Sequence, residues 1–124
     1  MRALIARDLA DAQVAGLSAD RRFATAYNAA LQTANMAIAC AGYRVTAKTG
    51  HHKITVDAIS LALGTTASSY ADYFETCRRK RNVIDYTRSQ VATDSEADEI
   101  VKKTTEFYEL VETWIDSKLP HLKR

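Results

Sequence analysis

The chain has 124 residues, of which 47% are hydrophobic and 26% are charged, and its formal net charge is +2. This length suits one domain over residues 1–124, and the hydrophobic content with so little net charge excludes a disordered chain. The only proline is Pro120, and such scarcity argues against turn-rich β-sandwiches and barrels. We therefore predict an all-α protein built of long helices.

A membrane span is not expected, although residues 23–43 contain no Asp, Glu, Lys or Arg. Asn28 and Gln32 interrupt this segment, and most of its apolar members are alanines, which indicates a buried helix instead. Asp8 and Asp11 stand where a secretion signal needs an unbroken apolar core, so no such signal is predicted.

The two cysteines, Cys40 and Cys77, lie within apolar patterns and have no metal-ligand spacing around them. We interpret them as small buried side chains of a reduced, cytoplasmic protein. No metal and no cofactor is predicted.

The four glycines stand at positions 16, 42, 50 and 64, in the way that helix ends are usually marked. The first helix is predicted over residues 2–15. Its apolar side is expected to hold Leu4, Ile5, Leu9 and Ala12, and its solvent side Arg7, Asp8 and Asp11.

Ser18 is predicted to cap a second helix over residues 19–41. Most side chains on the apolar stripe of this helix are small, so we expect neighbouring helices to pack closely against it. The stripe consists of Phe23, Tyr27, Ala30, Ala34, Ile38 and Ala41. The opposite stripe is polar but uncharged, with Asn28, Gln32 and Asn35, and it either faces solvent or lines a subunit interface or a cleft.

A basic loop over residues 43–49 precedes a short third helix, which begins with His51 and His52 and ends at Gly64. Adjacent side chains on a helix point about 100° apart, so these two histidines are poorly placed to chelate one metal ion. They are interpreted as capping or packing the start of the helix, or as completing a site with Arg81.

Residues 65–119 contain neither glycine nor proline, and one unbroken helix of that length would reach about 80 Å, too long for a compact domain of this size. The break is predicted at Thr93-Asp94-Ser95-Glu96, because Thr93 and Glu96 have the spacing of a capping box and Asp94 and Ser95 are also good caps. The segment thus divides into a fourth helix over residues 68–88 and a fifth over residues 95–118. The fifth helix is expected to carry two exposed ion pairs, Asp98 with Lys102 and Glu99 with Lys103.

The fourth helix carries an arginine on its apolar stripe. The stripe is defined by Tyr70, Tyr73, Phe74, Cys77 and Ile84, and the same spacing places Arg81 on it. A guanidinium that leaves water needs a carboxylate partner, a position at the rim or a ligand. Five of the 17 basic residues also fall within eleven positions here: Arg78, Arg79, Lys80, Arg81 and Arg88.

Two interpretations of this segment stay open on residue type alone. In one, Arg81 and Asp85 form an intrahelical ion pair beside a solvated basic face, which contributes roughly a few tenths of a kcal/mol. In the other, Arg81, Asn82 and Tyr86 form a polar cluster on the floor of a groove, which suits phosphate oxygens and a base.

Five short segments follow one another at a distinctive spacing: Ala26-Tyr27-Asn28-Ala29-Ala30, Gly42-Tyr43-Arg44, Gly50-His51-His52, Arg81-Asn82-Val83-Ile84-Asp85-Tyr86 and Glu96-Ala97. Together they make the chain, over residues 18–114, resemble the HEPN superfamily, the higher eukaryotes and prokaryotes nucleotide-binding domains. The resemblance implies an up-and-down bundle of four or five helices that is commonly a homodimer. It also implies a place in toxin-antitoxin, abortive-infection or nucleotidyltransferase-linked systems.

Active members of this superfamily are metal-independent ribonucleases, whose motif is an arginine, a polar neighbour and a histidine a few residues further on. By resemblance, the arginine is Arg81, the polar neighbour is Asn82 and the closing aromatic residue is Tyr86. The histidine is missing, and Asp85 stands near its place. An aspartate, with an ordinary pKa of about 3.9, is a weak base at neutral pH and is not an acid there.

The first hypothesis is a HEPN-like protein that binds RNA, a nucleotide or a partner protein in a defence or toxin-antitoxin setting, without ribonuclease chemistry. Its binding residues would be Arg78, Arg79, Lys80, Arg81, Arg88, His51 and His52. The alternative is an active metal-independent endoribonuclease, in which Arg81 acts with His51, His52 or Asp85. The catalytic candidates are then Arg81, Asn82, Asp85 and Tyr86.

The expected partners are a second copy of the chain, RNA or a nucleotide, and a nucleotidyltransferase or an antitoxin, with no membrane. A third hypothesis is a structural partner whose basic helix docks an acidic protein.

Overall fold

The computed structural model describes residues 2–14, 16–40, 63–64, 67–86 and 91–118, without the side chains of residues 85, 86, 117 and 118. These described residues form four helices and no strand; the helices are α1 (Arg2–Asp11), α2 (Ala19–Cys40), α3 (Ser68–Tyr86) and α4 (Asp94–Lys118). The protein is an all-α helical bundle, as its composition predicts. The predicted fourth and fifth helices are α3 and α4.

Side chains cap the N-termini of α2 and α4 as predicted. The backbone N–H of Arg21 donates to Ser18 Oγ at 3.2 Å, so Ser18 caps α2. At α4, the Glu96 N–H donates to Thr93 Oγ1 at 3.1 Å, and the Thr93 N–H donates to Glu96 Oε1 at 2.9 Å. Both bonds of a capping box are present, so the chain breaks where the spacing of Thr93 and Glu96 predicts.

Glycines mark two turns of the described chain, but α1 ends earlier than predicted. Gly16 and Gly64 have φ angles of +92° and +80°, a region that glycine adopts without steric cost. Helix α1 ends at Asp11 rather than at residue 15. Helix α3 is described as far as Tyr86, and its predicted end at residue 88 lies outside the described residues. Gly42 and Gly50 lie outside the described residues.

Helix α2 packs against the three other helices, and its small side chains allow this close packing. Five of its alanines are at most 2% exposed; they are Ala26, Ala29, Ala30, Ala34 and Ala37. The approach is close enough for Thr104 Oγ1 of α4 to donate to the backbone carbonyl of Ala26 at 3.4 Å. The predicted close packing of neighbouring helices against the small side chains of α2 is thus confirmed.

An aromatic cluster joins α3 to α4. The ring centroids of Phe74 and Phe107 are 5.3 Å apart, and Tyr70 lies 5.6 Å from Phe107. Tyr73 meets Phe74 edge-on at 5.3 Å. Phe74 and Phe107 are 2% and 0% exposed, so these rings form the core on this side of the bundle.

Helix α3 runs antiparallel to α4. Tyr70, near the start of α3, donates to Glu106 Oε1 at 3.4 Å, whereas Lys80, near its end, lies 2.9 Å from Glu96 Oε2 at the start of α4. The order of contacts is therefore reversed along the two helices, as expected of neighbours in an up-and-down bundle.

Charged side chains hold α1 at both ends. Arg2 makes a two-pronged bond to Glu112 of α4, with its Nε 3.0 Å from Oε2 and its Nη2 3.0 Å from Oε1. At the other end, Arg22 Nε of α2 donates to the Ala12 carbonyl at 2.9 Å. Because Arg22 also pairs with Asp98 near the start of α4, α1 runs antiparallel to α4.

Two predictions for α1 are wrong. Asp8 is 9% exposed rather than solvent-facing, because Gln32 Nε2 of α2 donates to its Oδ2 at 2.7 Å. That bond offsets part of the cost of removing the carboxylate from water. Leu4 is 45% exposed rather than packed, so the fully buried apolar contact of α1 comes from Ile5, with Ala12 just beyond the helix end.

Both surface ion pairs predicted on α4 are wrong: among the described residues, neither Asp98 with Lys102 nor Glu99 with Lys103 forms an ion pair. Asp98 pairs with Arg22 of α2 rather than with Lys102, one turn further along α4. The pair between helices is favoured because the Ala12 carbonyl already holds the Arg22 side chain, which loses little further freedom on pairing.

The two cysteines are free thiols in different environments. Cys77 is 4% exposed, as predicted, and burial raises its pKa to about 12. Cys40 is half-buried at the end of α2. At neutral pH the Cys77 thiol is therefore protonated and unreactive.

No helix in the described part of the chain is both long and apolar enough to cross a membrane. The predicted basic loop and nearly all of the predicted third helix, including His51 and His52, lie outside the described residues.

Replacing Phe107 by alanine is expected to lower the free energy of unfolding by about 3 to 5 kcal/mol, because the change empties a fully buried position beside the rings of Tyr70 and Phe74. Urea unfolding followed by circular dichroism measures this loss. The control is Leu4→Ala, at a half-exposed position, where we expect a change of less than about 0.5 kcal/mol. Equal losses in the two variants would contradict the aromatic core.

Candidate functional site

Arg81 lies on the side of α3 that faces α2. Its Nη2 donates to Asn28 Oδ1 at 3.4 Å, and its side chain is half-buried. Ile84, one turn further on, packs against the hydrophobic core. The prediction that Arg81 points inward is thus confirmed, and the structure adds that it contacts a carboxamide of α2.

The phenol of Tyr27 is buried near two arginines of α3. Tyr27 is 1% exposed, and burial raises its pKa to about 12, although the positive charges of Arg78 and Arg81 counteract part of the rise. The phenol therefore keeps its proton at neutral pH and serves as a neutral hydrogen-bonding group rather than as a base.

A carboxylate on α3 fixes Arg78. Arg78 Nε and Nη2 donate to the two oxygens of Glu75 at 2.9 and 2.8 Å. Arg79 lies 3.9 Å from the same carboxylate, but its side chain is 77% exposed and faces solvent. We refer to the group between α2 and α3 as the arginine cluster. It consists of Tyr27 and Asn28 of α2 and of Glu75, Arg78 and Arg81 of α3.

Lys80 belongs to a different surface. Its Nζ lies 2.9 Å from Glu96 Oε2 and donates to the Val91 carbonyl at 3.4 Å, beside the start of α4. A cavity of about 70 Å³ next to it, lined also by Phe23 and Cys77, is far smaller than the about 300 to 1,000 Å³ of typical ligand pockets. The basic residues that are consecutive in sequence are thus divided among three sides of α3.

The structure places only part of the predicted site. Asn82 is half-buried and follows Arg81 on α3. Asp85 and Tyr86 lie in the last turn of α3, where the structure describes only their backbone. Three further candidates, Arg88, His51 and His52, lie outside the described residues. The intrahelical pair of Arg81 with Asp85 and the roles of the two histidines therefore stay predictions.

Sequence reasoning did not assign Tyr27, Asn28 or Glu75 to the site. Glu75 stands three residues before Arg78, a spacing at which side chains meet on a helix, so its role could have been found locally. The contact of Asn28 with Arg81 joins residues 53 positions apart, and no local pattern predicts it.

The arginine cluster has the chemistry of an anion-binding site. It brings two guanidinium groups of α3 next to one carboxamide of α2. Guanidinium N–H groups match phosphate oxygens in a bidentate geometry. Glu75 offsets part of the positive charge and holds Arg78 in place. Within the described residues, no group of three or more His, Cys, Asp or Glu side chains could hold a metal ion.

Residues 12–112 match the family model of the SAV_6107-like HEPN domains. Because this match spans most of the sequence, the chain belongs to that family and to the HEPN superfamily. Membership supports a nucleotide-binding, RNA-binding or ribonuclease-like function, and HEPN domains often dimerise. Comparisons with curated proteins and with solved structures found no match.

As the pH rises from about 10 to about 12, the free energy of unfolding of the wild-type protein is expected to fall relative to that of Tyr27→Phe. The exposed phenol of the unfolded chain has a pKa of about 10. In the folded protein the pKa is about 12, so in this window only the unfolded state releases the proton and is stabilised. The relative loss should reach about 2 kcal/mol by urea unfolding.

The same measurement at pH 8 to 9 is the control for the Tyr27 phenol, because neither state ionises there. A stability difference that stays constant from about pH 9 to about pH 12 would contradict the burial of this phenol.

Proposed function

We propose that this HEPN protein binds RNA through the arginine cluster, with Arg81 as the central contact, and does not cleave it. The position of Arg81 carries the proposal, since its half-buried guanidinium faces α2 and lies 3.4 Å from Asn28. A guanidinium has five N–H donors in a fixed plane, and a phosphate group at this contact can accept from them.

The second guanidinium supports a polyanion as the ligand. Arg78 lies one helical turn before Arg81, and both charges act on the same buried phenol of Tyr27. Successive phosphates of RNA offer several contacts to such a pair, and each neutralised phosphate adds to affinity through counterion release. The Asn28 carboxamide is both donor and acceptor and can therefore pair with a base edge.

The missing motif histidine supports binding without cleavage. Metal-independent cleavage of RNA needs a group of near-neutral pKa that takes a proton from the 2′-hydroxyl. Asp85 stands near the place of the histidine, and an aspartate, with an ordinary pKa of about 3.9, is a weak base at neutral pH. Tyr27, with its pKa of about 12, keeps its proton.

A homodimer in a defence or toxin-antitoxin setting, with a nucleotidyltransferase or antitoxin partner, is part of the same proposal. Family membership supports the dimer, because HEPN domains often dimerise. Two free thiols fit a reducing compartment, which supports the cytoplasm as the location.

Arg81→Ala is expected to weaken binding of a labelled single-stranded RNA by about tenfold or more, because charge-assisted hydrogen bonds to phosphate are lost. Fluorescence anisotropy at fixed salt concentration measures the dissociation constant. Arg81→Lys should not restore affinity, since an ammonium group cannot replace a planar two-pronged donor.

Arg79→Ala is the matched control, because it removes the same charge at a position two residues before Arg81. The Arg79 side chain is 77% exposed. We expect it to weaken binding by less than about threefold. Equal effects of Arg79→Ala and Arg81→Ala would indicate an unspecific basic surface and contradict the proposed site.

Incubation of the wild-type protein with RNA and a metal chelator tests the alternative function. We expect the RNA to stay intact and expression of the protein to be harmless to cells. Cleavage or toxicity that Arg81→Ala abolishes would establish an endoribonuclease instead, and His51→Ala, His52→Ala and Asp85→Asn would then identify the proton-transfer group.

A further inference from the structure

Four side chains fasten the chain where it enters α4, and we call this group the entry clamp. They are Asp20 in the first turn of α2, Lys80 near the end of α3, and Thr93 and Glu96 at the start of α4. None of them belongs to the arginine cluster. Lys80, however, immediately precedes Arg81 in the sequence.

Asp20 holds the backbone in front of α4. Its Oδ1 accepts from the Ala92 N–H at 2.7 Å, and its Oδ2 accepts from the Val91 N–H at 3.2 Å. A carboxylate that accepts from two successive backbone N–H groups fixes both the position and the orientation of the segment. Asp20 therefore ties this segment to the first turn of α2.

Lys80 ties α3 to the same place. Its Nζ lies 2.9 Å from Glu96 Oε2 and donates to the Val91 carbonyl at 3.4 Å. Bonds from the Thr93 N–H and from Lys80 lower the pKa of Glu96, so its carboxylate stays ionised throughout the neutral range. The ammonium of Lys80 is thus directed at a carboxylate of the protein itself.

The entry clamp fastens the C-terminal part of α3, beyond the aromatic cluster that packs its first turns against α4. Consecutive side chains project about 100° apart around a helix, so the directions of Lys80 and Arg81 are linked. When Lys80 is fastened at the start of α4, Arg81 is directed towards α2, where Asn28 Oδ1 accepts from it at 3.4 Å. Release of Lys80 would loosen the last turns of α3 and let Arg81 move away from Asn28.

We propose that Asp20, Lys80 and Glu96 are positioning residues that hold Arg81 at the RNA site, and that Lys80 does not contact phosphate. This inference rests on the proposed function of the arginine cluster and deepens it, because it makes two acidic residues necessary for RNA affinity. Acidic side chains near a binding site ordinarily repel a polyanion, so the sign of their effect distinguishes positioning from charge.

Asp20→Asn and Glu96→Gln are each expected to weaken RNA binding by about threefold to tenfold, although each removes a negative charge. Glutamine is accepted in a capping box, so Glu96→Gln keeps the cap of α4 and loses the charged pair with Lys80. The control, Glu99→Gln, removes an exposed carboxylate one turn along α4 and should leave affinity unchanged or slightly higher. Stronger binding in all three variants would overturn the inference.

Lys80→Gln separates positioning from phosphate contact through the salt dependence of binding. We expect weaker binding with the wild-type slope of log Kd against log salt, whereas loss of one phosphate contact would lower the slope by about 0.7. Together with Glu96→Gln the loss should be less than additive, because both changes remove one pair. Additive losses with a lower slope would overturn the inference.

Amide hydrogen exchange gives a readout that does not depend on RNA. In Asp20→Asn and Glu96→Gln, the amides of residues 81–84 should exchange about tenfold faster than in the wild type, and in Glu99→Gln they should not change. Unchanged exchange in the first two variants would overturn the positioning role whatever RNA binding shows. Unchanged RNA binding in Arg81→Ala would overturn the proposed function instead.

Discussion

The five buried alanines of α2 are the constraint on which the rest of the structure depends. Side chains no larger than a methyl group let three helices approach one backbone, closely enough for Thr104 to bond the Ala26 carbonyl. Extra methylenes at a position such as Ala30 would force shifts that cost about 1 to 3 kcal/mol. The same closeness lets Arg81 of α3 reach Asn28, so the candidate site is a product of the core packing.

Four consecutive basic residues have four different environments. Arg78 lies in a carboxylate fork, and Arg79 faces solvent. Lys80 meets the start of α4, and Arg81 faces α2. Because each residue turns the helix by about 100°, a run of like charges in sequence is not one patch in space. The net charge of the run therefore says little about which of its members meets a ligand.

Local signals predicted the parts of the molecule that local interactions determine, such as the capping box of α4 and the start of α2. The prediction that Asp8 faces water was wrong, because the partner that buries it, Gln32, lies on another helix. No spacing within α1 reveals that contact. The candidate site divides in the same way. The stripe of α3 predicts that Arg81 faces inward, but its contact with Asn28 depends on how α2 and α3 pack.

Charged side chains hold both ends of helix α1, with the Arg2 fork to Glu112 at one end and the Arg22 bond to the Ala12 carbonyl at the other. Between them, Ile5 is the one fully buried aliphatic side chain of the helix. The Debye length falls from about 8 Å at physiological ionic strength to about 3 Å at 1 M, so concentrated salt screens these half-exposed contacts but not the aromatic core. At about 1 M salt, we expect local unfolding to begin with detachment of α1, while the other described helices stay packed.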